Sequence, residues 1–163
     1  MLDGVGGWDK KGICSGVMTK ELIGHLKHVY ATWKIDERRR SLHSVLDQAV
    51  TYIKNKGSTT AVMAELDHTF DWNDEEVTLR TCNLGDSGYM IFRPHEKGCR
   101  MLFQTTSQQH YFNCPYQVGN HSKLPTKADS LEHQLLEKDI VVMASDGVWD
   151  NLYSTHIKAC LDD

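Results

Sequence analysis

Three aspartates, each beside a glycine, mark where this chain could do chemistry: Asp3-Gly4 at the start, Gly85-Asp86 in the middle and Asp146-Gly147 near the end. A carboxylate next to glycine at the end of an apolar segment is an oxygen ligand on a backbone free to turn without a side-chain clash. Asp146 follows the apolar run Ile140, Val141, Val142 and Met143, and Asp150 stands four residues further on, on the same face if a helix begins there. Taken singly, Asp146 reads as a helix N-cap closing a core strand. Three such corners together point to one shared site. Hard divalent cations, Mg²⁺ or Mn²⁺, take carboxylate, carbonyl and water oxygens, which Asp3, the Gly4 carbonyl and Asp146 can supply. The glycine-rich run around Asp3 is neither a Walker loop nor a dinucleotide fingerprint, because the lysine of the first and the spacing of the second are absent.

These corners need elements to hold them. The run 140–143 reads as a strand buried on both faces and crossing the middle of a core. Apolar positions at helical spacing predict an amphipathic helix over 18–33, with Leu22, Ile23, Leu26, Val29, Tyr30 and Trp33 on one side. A second helix is expected over 41–56, with Ser41 as N-cap and Gly57 as its stop. Residues 58–66 read as a strand whose Ser and Thr hydroxyls satisfy local backbone groups rather than act as nucleophiles. Strands over 77–84, 89–93 and 100–103 are expected to form an antiparallel meander. The polar stretch 104–138 loses apolar periodicity and reads as a binding flap beside the acidic site. A helix begins near residue 152. Arg38, Arg39 and Arg40 read as a solvated link, the acids of 71–76 as a solvated turn, and His25 with His28 as two surface histidines rather than a metal pair. The whole is a single α+β layered domain, 1–163.

Composition narrows the function classes. A net charge of -4 over 163 residues argues against nucleic acid or anionic membrane as the main partner. Five scattered cysteines without a C-x-x-C pair fit a reducing, intracellular compartment, not a disulfide framework or a zinc site. Cytoplasm, nucleus and mitochondrion are not distinguished by this. No apolar run reaches the length of a membrane span or a signal-peptide core. Asn120-His121-Ser122 matches a glycosylation acceptor only formally.

Five motifs stand in order along the chain: DGVGGW at 3–8, GSTT at 57–60, NLGDSGYMIFR at 83–93, QQHYFNCPYQV at 108–118 and ASDGVWDN at 144–151. Together they resemble the metal-dependent protein serine/threonine phosphatases of type 2C. They are most similar to the often organellar branch that carries valine, here Val5, where most relatives have a histidine suspected of protonating the leaving group. The resemblance implies a four-layer α-β-β-α sandwich with two central antiparallel sheets. It implies two or more Mg²⁺ or Mn²⁺ ions, with Asp3, Gly4 and Asp146 as core ligands and Asp86 and Asp150 holding a further, looser ion. The expected reaction is hydrolysis of phosphoserine and phosphothreonine in a phosphoprotein by a metal-activated water, with Asp3 and Asp146 indispensable. Relatives carry further acid-bearing strands at both ends, so this chain is expected to be incomplete at both termini. A degenerate, non-catalytic domain that binds a phosphoprotein or partner chain through 104–138 is the second expectation, and a small-molecule phosphohydrolase the third.

Overall fold

Three apolar clusters set the order of the layers. The computed structural model describes residues 1–32, 41–67, 77–119 and 127–162. Helices α1 (Ser15–Thr32) and α2 (Leu42–Val50) are followed by β1 (Ser58–Thr59), β2 (Ala61–Asp67), β3 (Val77–Leu84), β4 (Gly88–His95) and β5 (Gly98–Gln104). Short strands β6 (Gln109–Tyr111), β7 (Cys114–Pro115) and β8 (Val118–Gly119) lead to β9 (Asp129–Leu135) and β10 (Ile140–Ala144). The one-turn helix α3 (Asp146–Trp149) and helix α4 (Ser154–Asp162) close the order. One antiparallel sheet has the order β2-β3-β9 and the other β10-β4-β5.

Met18, Leu22 and Val29 of α1 and Leu42, Val45, Leu46 and Ala49 of α2 pack with Ala61, Cys82 and Leu84 on the outer face of the first sheet. Val62, Leu79 and Leu135 of that sheet meet Tyr89 and Ile91 of the other, with Phe103, Val141 and Met143 alongside. Met90, Phe92 and Cys99 turn the opposite way and meet Ile157 of α4. Helix, sheet, sheet and helix therefore stack as the expected α-β-β-α sandwich. Removing each such large apolar side chain from water is worth about 1.5–3 kcal/mol, so all three interfaces contribute. No helix among the described residues is long and apolar enough to cross a membrane.

Several elements differ from the sequence reading, each for a physical reason. Helix α2 starts on schedule, with the Ser41 hydroxyl accepting the Ser44 N–H, but it ends at Val50 instead of running to Lys56. Beyond it the Glu21 carboxylate accepts the N–H groups of Lys54 and Asn55 at 3.0 and 2.9 Å, which draws the chain out of the helix. The strand read over 58–66 breaks at Thr60 into β1, paired with β8, and β2, paired with β3. Only half of the expected meander forms: β4 and β5 pair antiparallel, but β3 and β4 belong to different sheets, and Gly85, Asp86 and Ser87 carry the chain between them. The stretch 104–138 includes β9, a strand of the first sheet, as well as β6, β7 and β8. Strand β10 is apolar on both faces, as read, because Val141 and Met143 face the other sheet while Ile140 and Val142 face α4. It lies at a sheet edge rather than in the middle, pairing with β4 alone among the described residues, and is only half-buried before Ala144. Trp33, the arginines 38–40, the acids of 71–76 and Asn120-His121-Ser122 lie outside the described residues.

Candidate metal-binding cleft

The segment 1–5 is laid down as an extra extended stretch beside β1 and β2. Val62 N–H donates to the Met1 carbonyl at 2.9 Å, Thr60 N–H to Asp3 at 3.0 Å, and Val5 N–H to Ser58 at 2.9 Å. Gly4 pairs with Thr59 in an antiparallel bridge. Met1 stands opposite Val62, whose side chain lies between the sheets, so two-residue alternation turns Asp3 toward the same cleft. There it meets residues from the end of β10 in the other sheet. The Asp3 carboxyl is in hydrogen-bonding reach of both Asp146 and Ser145.

Glycine is required at one of the corners and fits closely at another. A Cβ on Gly4 would lie 2.9 Å from Ser15 Oγ and 3.0 Å from Thr19 Oγ1, so the first turn of α1 closes directly onto this residue. Gly85 has φ +105°, and a Cβ there would lie 2.6 Å from the Tyr116 carbonyl. Its N–H donates to Gln108 Oε1 at 2.9 Å and its carbonyl accepts Gln108 N–H at 2.9 Å, which clamps the corner carrying Asp86. At the third corner Ser145 is the N-cap of α3 and Asp146 its first residue, so Asp146 is not itself the cap. The Ser145 hydroxyl makes no capping bond, and Ser145 acts on the Asp3 carboxyl. Trp149 Nε1 donates to the Ala144 carbonyl at 2.8 Å, and Asp150 stands exposed at the end of the turn.

Burial raises the Asp3 carboxyl above the ordinary aspartate range; the contact with Asp146 and the charges of Asp146 and Asp86 add to this, and Ser145 opposes it. Asp86 is raised likewise, first by burial and then by the charges of Asp146 and Asp150. Asp3 and Asp86, each held to its proton more tightly by neighbouring carboxylate charge, belong to a donor set short of positive charge. The chemistry of the set therefore fits a hard divalent cation. Asp3 and Asp146 are brought together, and Asp86 is close enough for its charge to act on Asp3 and to feel that of Asp146. Asp150 acts on Asp86 from the rim. Among the described residues no three His, Cys, Asp or Glu side chains converge as one ready coordination sphere. A cation here would need carbonyl or water oxygens besides the Asp3 and Asp146 carboxylates.

The residues that sequence reasoning undervalued are the hydroxyls. Thr59 Oγ1 donates to the Asp3 carbonyl at 2.7 Å, Thr60 Oγ1 shares a 2.7 Å bond with Ser87, and the Ser58 hydroxyl accepts Trp8 Nε1 at 2.6 Å and donates to Gln117 Oε1. These bonds span the chain instead of serving the local backbone. No local sequence signal marks these pairs, because their partners lie 27 or more residues apart. A cavity of about 100 Å³ adjoins Asp86, lined by Tyr89, Met90, Gln104, Thr105, Ser107 and Trp149. His25 lies 3.7 Å from Glu21 and packs on Tyr52, away from any metal cluster among the described residues.

No family model matches the chain. It is 33% identical over 163 residues to the probable protein phosphatase 2C 80 of Arabidopsis thaliana, an alignment covering 96% of this chain and 35% of that one. It is 35% identical over 166 residues to the protein phosphatase PTC7 homolog fig of Drosophila willistoni, covering 93% of this chain and 49% of the relative. Among solved structures, the photosystem II phosphatase PBCP superposes with a TM-score of 0.79 at 26% identity, over 97% of this chain and 58% of that one. A sandwich of two sheets with carboxylates from both meeting at their shared cleft defines the class, and these relatives agree on it. The chain belongs to the type 2C protein phosphatase family. It spans about a third to a half of the length of the curated relatives it matches.

Proposed function

We propose that the cleft between the two sheets is the catalytic centre of a Mg²⁺- or Mn²⁺-dependent phosphatase acting on phosphoserine and phosphothreonine in proteins. The observation that carries this reading is the meeting of Asp3, from the first segment, with Asp146, from the end of β10 in the opposite sheet. Two carboxylates brought near each other from two different sheets, with the charge of a third, Asp86, acting on Asp3, are costly unless a cation binds them. Bound there, divalent cations supply Lewis acidity and a water acidic enough to attack phosphorus at neutral pH.

The chain's own residues hold and shape that centre. Asp3, the Gly4 carbonyl and Asp146 are the core donors; Asp86 and Asp150 are donors for a further ion. Ser145 orients Asp3. Gly6 and Gly7 have no heavy atom within 4 Å of where a Cβ would stand, which keeps the approach beside Asp3 open to a phosphoryl group. Val5 offers no proton, so the leaving alkoxide takes its proton from water in the cleft. The part of 104–138 that packs beside Asp86, through Gln108 and the Ser107 wall of the cavity, is suited to meet the substrate protein. All five cysteines are free thiols, as a reducing compartment would keep them.

The absence of three converging ligands among the described residues favours a second reading, a phosphoprotein-binding domain without turnover. The two are separated by phosphate release from a phosphothreonine peptide, with and without Mn²⁺, beside an Asp146→Asn control. Catalysis predicts release that needs Mn²⁺ and falls by more than about 100-fold in the control. A folded chain that binds the peptide and releases nothing would leave only the binding function.

A further inference from the structure

We propose that Thr60 is a positioning residue for this centre: its buried hydroxyl, bonded to Ser87, sets the separation of Asp3 and Asp86. This rests on the reading of both aspartates as cation ligands given above. Thr60 occupies the break between β1 and β2 and is 2% exposed. Its N–H holds the Asp3 carbonyl at 3.0 Å, and its Oγ1 lies 2.7 Å from the hydroxyl of Ser87, which is 1% exposed and directly follows Asp86. One residue thus ties the segment carrying Asp3 to the corner carrying Asp86. The corner also rests on it physically, since a Cβ on Gly85 would lie 2.7 Å from Thr60 Cγ2.

Local backbone needs do not account for this threonine. The local carbonyl of Thr60 already has the Thr59 hydroxyl 3.0 Å away, which shares its one proton between that carbonyl and the carbonyl of Asp3 at 2.7 Å. Valine has the same outline, so Thr60→Val keeps the packing, removes the tie and leaves the Ser87 hydroxyl buried without this partner. Serine keeps the tie and loses only a methyl. Ligand sets work when their donors are held to within about 0.5 Å by the residues behind them, so loss of the tie acts on cation affinity rather than on folding alone.

The test is calorimetric titration of the 163-residue chain with Mn²⁺ alone, for wild type, Thr60→Val, Thr60→Ser and Ser87→Ala, with the thermal midpoint of each measured in EDTA. Thr60→Val and Ser87→Ala are expected to weaken Mn²⁺ binding by roughly 10-fold or more, and Thr60→Ser to stay within about threefold of wild type. The Mn²⁺ concentration for half-maximal phosphate release moves with the same ranking. Wild-type Mn²⁺ affinity in both Thr60→Val and Ser87→Ala, whatever their midpoints, overturns the proposal and leaves the centre intact. So does a loss in Thr60→Ser equal to that in Thr60→Val. If Thr60→Val does not fold, Ser87→Ala decides alone. A folded wild-type chain that takes up no Mn²⁺ overturns the catalytic reading, and this inference with it.

Discussion

Asp3 and Asp146 face each other across one cleft, yet they are held in different ways. The Asp3 side is fixed by buried bonds between distant parts of the chain: Thr59 and Thr60 on its carbonyl, and Ser87 behind Thr60, at 0%, 2% and 1% exposure. The Asp146 side sits on a four-residue helix whose bonds are local. Val148 N–H reaches the Ser145 carbonyl at 3.0 Å, Trp149 Nε1 that of Ala144 at 2.8 Å, and Asn151 Nδ2 that of Gly147 at 2.9 Å. Strand β10, which leads into it, is an edge among the described residues. Long-range buried bonds break only when the core opens, whereas local bonds at an edge open with small, low-cost motions. The fold thus supplies a rigid half, Asp3 with Asp86, and a more yielding half, Asp146 with Asp150, that can adjust as charge gathers between them.

The sharpest way to break this contrast is to strain the rigid half. Gly85→Ala forces a side chain into a backbone at φ +105° and against the Tyr116 carbonyl. Backbone strain and overpacking each cost about 1–3 kcal/mol, so a loss of roughly 3 kcal/mol in urea unfolding is expected. The carbonyl cannot move away without loosening the Gln108 clamp. A variant as stable as wild type would mean that the corner at Asp86 is not rigid and that the two halves do not differ.

The yielding half predicts a smaller response. Trp149→Phe removes the indole N–H that closes α3 onto Ala144 while keeping an aromatic ring in the same place. One such bond is worth about 1 kcal/mol net, so stability falls by roughly that amount. Amide exchange is expected to quicken over 145–151 and to stay unchanged over 58–60 and 83–88. Equal quickening in both regions would show one cooperative unit instead of two.

The same contrast explains what could be read in the sequence. The three acidic corners were legible because glycine beside aspartate at a strand end is a local pattern. The stripes of α1 and α2 and the cap at Ser41 are also local. What could not be read is which sheet each strand joins. A three-residue link such as 85–87 looks like a hairpin turn, and only the packing of Leu84 under the helices and of Tyr89 between the sheets shows that the chain crosses over. Strand β9 was hidden for a related reason. Only Leu135 is buried and His133 half-buried, while Asp129 to Glu132 are exposed, so the strand carries no apolar alternation. His133 is accommodated inside by a 2.8 Å bond to the Tyr89 hydroxyl, which Thr81 also holds at 2.8 Å. The hydroxyl tie from Thr60 to Ser87 was illegible for the same reason: its partners are 27 residues apart.

The smallest effect lies where β10 begins. Arg93 of β4 donates to both carboxylate oxygens of Asp139 at 2.7 Å, and the Leu136 N–H adds a third bond, pinning the entrance of the edge strand. The Arg93 guanidinium holds the Asp139 carboxyl below its ordinary value. On acidification the unfolded chain therefore takes up this proton before the folded chain does. The stabilisation is fully present above roughly pH 4, the ordinary aspartate range, and is lost as pH falls through the lower folded value. Arg93 is partly exposed, so screening keeps the effect small, and Asp139→Asn is expected to lower the thermal midpoint at pH 7 by roughly 1–3 °C. The difference between wild type and variant then shrinks as pH is taken below 4. A difference that persists unchanged at pH 2.5 would assign the role of Asp139 to its bond with Leu136 rather than to its charge. Fixation of β10 would then be local throughout, as it is at α3.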